Sequence, residues 1–202
     1  LAIVLKKVPA ASVYGGWIAY QAFDRDWLAS ARRELSLEQL LDTQWPGLQI
    51  ELLTPPEPLR LMIGWTGTPA STSHLVDKIA LFKATRRKDY HTFLRESREC
   101  LQRMIDGFHH QDLNAIQTEI AVNRQLLNHL AHLSHVTIET TLLKTMCDIA
   151  EHVGGAAKSS GAGGGDCGIV IINAAKDSAH LLTEWEARGI EPLKLNVHHV
   201  IE

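Results

Sequence analysis

The part of this chain best suited to chemistry is the run Lys158-Ser159-Ser160-Gly161-Ala162-Gly163-Gly164-Gly165-Asp166-Cys167-Gly168. Successive glycines let backbone N–H groups turn toward one point and cradle an anion, for which phosphate is the natural occupant. Walker-type and dinucleotide-type glycine loops open a helix, whereas this one runs into the apolar stretch Ile169–Asn173. A flexible linker is the competing reading, and an apolar strand directly after the loop argues against it. Lys158 could pair with a phosphate or carboxylate of a ligand, although an exposed loop lysine is usually only solvated. Asp166 is expected to brace the loop or neighbour the active centre rather than to act as a base.

A second candidate is Ser71-Thr72-Ser73-His74, which follows Thr68-Pro69-Ala70 and precedes the periodic set Leu75, Val76, Ile79 and Phe82. That pattern predicts a helix with several possible N-cap oxygens. One hydroxyl must cap it, which leaves others, with the free N–H groups of the first turn, to meet an anionic ligand. His129, His132 and His135 recur every third residue, a spacing that can hold zinc. No acidic or cysteine partner stands near them in sequence, so they are read as a surface helix face without a structural metal. The doublets His109-His110 and His198-His199 carry no stronger signal. Lys83, Arg86, Arg87 and Lys88 read as a solvated turn between two helices.

These candidates need elements to hold them. Leu1–Lys7 reads as the tail of a helix or strand, and the residues after Gly15-Gly16 and Trp27 as a short helix carrying Leu28, Ala31 and Leu35. Gln49–Leu53 and Leu59–Trp65 read as strands separated by Pro55, Pro56 and Pro58, and are expected to form an antiparallel pair. Helices are expected over about 88–106, 112–132 and 138–152. From Gly154 to Gly168 the chain reads as loop, then as strand over Ile169–Asn173. A last helix, capped by Asp177 or Ser178, stops at Gly189, and Leu193–Val200 alternates as a closing strand. The sum is an α+β fold in which Ile169–Asn173 lies centrally in an antiparallel sheet covered by helices on one face.

Composition narrows the partners. At 45% hydrophobic and 21% charged residues with a net charge of −3, neither disorder nor a basic nucleic-acid surface is indicated. No apolar run approaches the roughly 20 residues that cross a bilayer, and the apolar start precedes Lys6-Lys7, the reverse of a signal peptide's order. Cys100, Cys147 and Cys167 are odd in number and widely spaced, which suits reduced thiols and a cytoplasmic location. A small phosphorylated ligand is the expected partner.

The Lys158–Gly168 run resembles the third conserved motif of the GHMP kinases, a superfamily of small-molecule kinases. Ala10-Ala11-Ser12-Val13-Tyr14-Gly15-Gly16-Trp17-Ile18-Ala19-Tyr20 and Ile63-Gly64-Trp65-Thr66-Gly67-Thr68-Pro69-Ala70-Ser71-Thr72-Ser73-His74-Leu75-Val76 are similar to stretches of its bacterial phosphomevalonate kinases, in the same order. The resemblance implies a C-terminal ferredoxin-like domain over 55–202, with 1–54 a remnant of the N-terminal kinase domain. It implies phosphoryl transfer from ATP, with Mg²⁺, to mevalonate 5-phosphate. It implies substrate contacts from Ser71, Thr72, Ser73, His74 and Lys158, and a phosphate loop of Ser160, Gly161, Ala162, Gly163, Gly164, Gly165 and Asp166.

Two family features do not occur in these 202 residues. The ATP loop of the form Pro-x-x-x-Gly-Leu-Gly-Ser-Ser-Ala is one. The other is the Gly/Asp turn before the Ala-Ala-Ser stretch, where this chain has Lys6-Lys7-Val8-Pro9. The chain is therefore expected to be the C-terminal part of a kinase, inactive alone, with its catalytic residue unassigned. Another GHMP kinase acting on a hydroxyl, such as mevalonate or homoserine kinase, and a non-catalytic ligand-binding module are the alternatives.

Overall fold

The structure, a computed structural model, describes residues 8–69, 72–161 and 163–198, with residues 8, 9 and 72–76 described as backbone only. The expected element over Leu1–Lys7 and the residues beyond His198 lie outside this range. Helix α1 (Val8–Tyr14) leads into strand β1 (Trp17–Gln21), then α2 (Arg25–Glu34), α3 (Leu37–Asp42), β2 (Gln49–Leu53) and β3 (Leu59–Trp65). Four helices follow: α4 (Thr72–Thr85), α5 (Arg87–His109), α6 (Leu113–Ser134) and α7 (Thr141–His152). The chain then forms β4 (Ala156–Ser159), β5 (Cys167–Asn173), α8 (Ala179–Glu186) and β6 (Glu191–Leu193).

Strands β4-β5-β3-β6 form one antiparallel sheet in that spatial order, and β1-β2 form a separate two-stranded sheet. The four-stranded sheet has the split β-α-β-β-α-β connectivity of ferredoxin-like folds. As expected, β5 is central, paired with β3 on one side and β4 on the other.

Helices cover both faces of that sheet, which corrects the expectation of one. Val170 and Ile172 of β5 point into a core with Leu143, Met146 and Cys147 of α7 and Leu181 and Trp185 of α8. Ile171, between them, points the other way, into a core with Leu101, Met104 and Phe108 of α5 and Ile116 and Ile120 of α6. A strand buried on both sides reads as a continuous apolar run rather than an alternation, and Ile169-Val170-Ile171-Ile172 is such a run.

Three further expectations change. Strands β2 and β3 do not pair with each other: β2 pairs with β1, and β3 crosses to the large sheet. Pro55, Pro56 and Pro58 lack the N–H groups and the turn geometry that a hairpin here would require. The supposed Gly154–Gly168 loop contains β4, because its glycines cluster at the two ends and leave Ala156–Ser159 free to pair with β5. Of the expected Leu193–Val200 strand, residues 194–198 form none and His199 and Val200 lie outside the described residues; the closing strand is Glu191–Leu193. It is a sheet edge, where Pro192 opposite Gly64 is tolerated.

Helix boundaries follow local chemistry. Asp112 caps α6 through the Ala115 N–H (3.0 Å), and Thr140 caps α7 through the Leu143 N–H. Helix α7 ends where Gly154, at φ +83°, and Gly155 donate to the Glu151 and Ala150 carbonyls.

Gly64 and Gly168 face each other across β3 and β5 and seat the fully buried Met146. A Cβ at Gly168 would lie 2.1 Å from Met146 Cε. Gly168→Ala is expected to cost about 1–3 kcal/mol by overpacking. Combined with Met146→Ala it should cost less than the two losses summed, a coupling that urea melts of the four proteins would measure.

Candidate functional site

Strands β4 and β5 form a hairpin closed by the Ser160 N–H to Cys167 carbonyl bond (3.0 Å). Its tip turns through Gly163, Gly164, Gly165 and Asp166 at φ +76°, +83°, +122° and +63°, a run of left-handed backbone for which glycine is suited. Two segments hold it. On one side the Gly164 N–H donates to the Ile138 carbonyl (2.7 Å), in the connection between α6 and α7. On the other, the Asp166 N–H donates to the Thr68 carbonyl (2.7 Å), while the Thr66 N–H and hydroxyl both donate to the Asp166 carbonyl (2.9 and 2.8 Å). Thr66 is buried, so these bonds are shielded from water.

The glycines are needed for this docking. A Cβ on Gly163 would sit 2.3 Å from the Ile138 carbonyl oxygen, and one on Gly165 would sit 3.0 Å from that of Thr68. A flexible linker would not be pinned from both sides, so that reading is set aside. The anion-cradle reading is also narrowed, because the Gly164 and Asp166 amides already serve as donors within the protein. Ala162 lies outside the described residues. Ser160 is buried and Gly161 half-buried beside the docked tip.

Thr66–Pro69 runs directly from this dock to α4, whose helical backbone begins at Thr72. The glycine loop and the approach to the Ser71–His74 stretch are thus brought together by hydrogen bonds as well as by the chain. Ser71, and the side chains of Thr72, Ser73 and His74, lie outside the described residues.

Lys158 is not an exposed loop residue. It sits in β4 opposite Ile169, is 5% exposed, and donates through Nζ to the Ser159 carbonyl at 2.8 Å. Burial lowers its pKa to about 8, with Cys147 and Cys100 opposing the change. Among the described residues no carboxylate pairs with it. An ammonium offers three donors, and this one, held out of water, is a poor structural device unless an anion reaches it. The sequence could have signalled this burial, since Ala156-Ala157-Lys158-Ser159 lies between a helix end and a hairpin.

The remaining candidates carry no comparable geometry. His135, at φ +53°, is the left-handed residue that ends α6, so it leaves the helical row of His129 and His132. Among the described residues no group of three or more His, Cys, Asp or Glu is placed to hold a metal ion. Arg86 pairs with Asp89 at 2.7 Å and Lys83 lies 5.9 Å from the Tyr90 ring centre, at the elbow between α4 and α5. Burial pushes the Cys100 and Cys147 thiols up to about 12, which keeps them protonated and unreactive at neutral pH. A cleft between β1 and α5, lined by Ile18, Tyr20, Leu53, Leu101 and Met104, is only about 20 Å³ and apolar, unsuited to a phosphorylated ligand. No helix among the described residues is long and apolar enough to cross a membrane.

A split β-α-β-β-α-β sheet whose hairpin tip docks on the approach to a helix start defines an α+β domain of the ferredoxin-like kind. Residues 104–191 match the family described as GHMP kinases C terminal. The chain is 39% identical over 188 residues to phosphomevalonate kinase of Streptomyces sp. (strain CL190), covering 92% of this chain and 50% of that protein. A crystal structure of the Lin0012 protein from Listeria innocua superposes with a TM-score of 0.89 at 42% identity, over 94% of this chain and 53% of that one. Streptococcus pneumoniae phosphomevalonate kinase, in complex with phosphomevalonate and AMPPNP, does so with a TM-score of 0.76 at 29% identity, over 91% and 52%. The chain belongs to the GHMP kinase superfamily, corresponds to its C-terminal region, and is similar there to bacterial phosphomevalonate kinases. It spans about half the length of the relatives it matches.

Proposed function

We propose that this chain forms the acceptor-binding side of an ATP-dependent kinase that phosphorylates mevalonate 5-phosphate to the 5-diphosphate. The observation that carries the reading is the dock of Gly164–Asp166 on Ile138 and Thr66–Thr68. It joins the Lys158–Gly168 run to the Ile63–Val76 stretch, two of the three segments that carry the resemblance, and the strand leading into the loop holds a buried Lys158 with which no carboxylate among the described residues pairs. The acceptor is a polyanion, so a fixed loop, a helix start and a desolvated ammonium are the groups that would orient it. Residues 55–202 constitute the domain that does this in our reading, and 1–54 belong with the nucleotide-binding half.

ATP and Mg²⁺ are the cofactors this assignment implies. The described residues do not fit them: the family's Gly-Leu-Gly-Ser-Ser loop is not in the sequence, and no acidic cluster stands ready for the cation. Their binding is assigned to the family's N-terminal domain, and no step is derived through them. Steady-state kinetics of a full-length enzyme carrying this chain test the proposal. Mevalonate 5-phosphate should be turned over with a kcat/KM well above that for mevalonate or homoserine. Preference for a hydroxyl acceptor would redirect the assignment within the superfamily, and binding without turnover would favour a non-catalytic module.

A further inference from the structure

Arg124 of α6 carries three carboxylates. Its Nε and Nη2 donate to both oxygens of Glu139 at 2.7 and 2.9 Å, Nη2 also reaches Asp148 at 2.9 Å, and Nη1 reaches Glu151 at 2.6 Å. The side chains of Arg124 and Glu139 are 11% and 8% exposed, and Asn128 adds a bond to Glu139 at 3.3 Å. Burial opposes the arginine's charge, but the hydrogen bonds it donates to Glu139 and Asp148 outweigh it and raise the pKa above the ordinary arginine value. A bidentate guanidinium–carboxylate pair fixes its partner in direction as well as distance.

That direction matters because Glu139 follows Ile138. The Ile138 carbonyl accepts the Gly164 N–H, and the same carbonyl is what a Gly163 Cβ would strike. The segment from Val136 to Thr140 has no ladder of its own. Its ends are held by the Val136 N–H to Ala131 carbonyl bond and by the Thr140 cap of α7, and its middle by the burial of Val136 and Ile138 beside Phe82 and Leu130 and by the Arg124 clamp on Glu139. Asp148 and Glu151 belong to α7, where their bonds to Arg124 join two helices without touching that segment.

We propose that Arg124 is a positioning residue for the glycine loop: by clamping Glu139 it fixes the Ile138 carbonyl on which Gly163 and Gly164 rest. Its consequence for turnover rests on the kinase reading above; its consequence for the loop does not.

Amide hydrogen exchange of the Gly164 N–H in the 202-residue chain separates the two. Glu139→Gln and Arg124→Met should each speed its exchange by about tenfold or more, while Asp148→Asn and Glu151→Gln leave it within about twofold. If Arg124→Met fails to fold, the near-isosteric Glu139→Gln carries the test. Unchanged exchange in Glu139→Gln would overturn the proposal, as would equal acceleration in all four variants, which would make the network a helix tie and nothing more. In a full-length enzyme, Glu139→Gln should also change kcat or acceptor KM by about tenfold while ATP KM holds. Faster loop exchange with unaltered kinetics would support the positioning role and count against the kinase reading instead.

Discussion

Gly163→Val is expected to lower both stability and turnover. A β-branched side chain at φ +76° is strained, and its Cβ would lie 2.3 Å from a backbone oxygen that cannot move without dragging Ile138 out of its core. Strain and overpacking together should cost roughly 2–5 kcal/mol. The displaced loop should lose about 10²-fold or more in turnover per folded molecule. From sequence alone the loop looks exposed, so that turnover should suffer far more than stability. The structure buries Gly163, and the stability loss must therefore be large as well. Gly67→Ala supplies the contrast, since Gly67 is also left-handed at φ +78° but has nothing within 4 Å of an added Cβ. Denaturant melts and single-turnover kinetics on both variants test the argument. A Gly163→Val protein that melts like the parent would show that the dock is not rigid.

Lys158→Met should do the opposite to stability while still lowering turnover. The folded-state pKa of about 8 lies below the ordinary lysine value of 10.5. Below pH 8 the lysine is charged in both states and burial destabilises the fold. Between about pH 8 and 10.5 the unfolded chain binds more protons, so stability rises with pH across that window. Removing the charge should therefore stabilise the protein by about 1–3 kcal/mol at pH 7, less the lost bond to Ser159, and should abolish the rise. Acceptor affinity should fall in the same variant, more than ATP affinity does. A buried charge kept at a cost in stability is the signature of a residue retained for binding. A Lys158→Met protein that is less stable at pH 7, or whose acceptor KM is unchanged, would assign the lysine a purely structural role.

Much of this was legible in the chain. The long helices α5, α6 and α7 announce themselves because Leu101, Met104 and Phe108, or Ile116 and Ile120, repeat at helical spacing and are buried at that spacing. The glycine run signals a backbone-defined site because few other residues tolerate four consecutive left-handed positions. Strand partners were not legible, since β3 pairs with β5 about a hundred residues away and local pattern carries no information about that choice. Strand β4 was hidden because Ala156–Ser159 lies among glycines and is held only by its neighbours. The charged pairs within the helical layer were equally silent: Glu119 pairs with Arg103 and Glu139 with Arg124 only once the helices are side by side. For the loop, sequence identified the residues, and the structure identified which amides are already engaged.

The most direct test of the account follows selectively ¹⁵N-labelled glycine amides in a full-length enzyme carrying this chain, titrated separately with mevalonate 5-phosphate and with a non-hydrolysable ATP analogue. Gly161, Gly163, Gly165 and Gly67 should shift on adding mevalonate 5-phosphate, with Gly47, and Gly154 at the opposite end of β4 from the loop, unmoved. Shifts of the loop glycines with the nucleotide alone, or none with the phosphorylated acceptor, would contradict it.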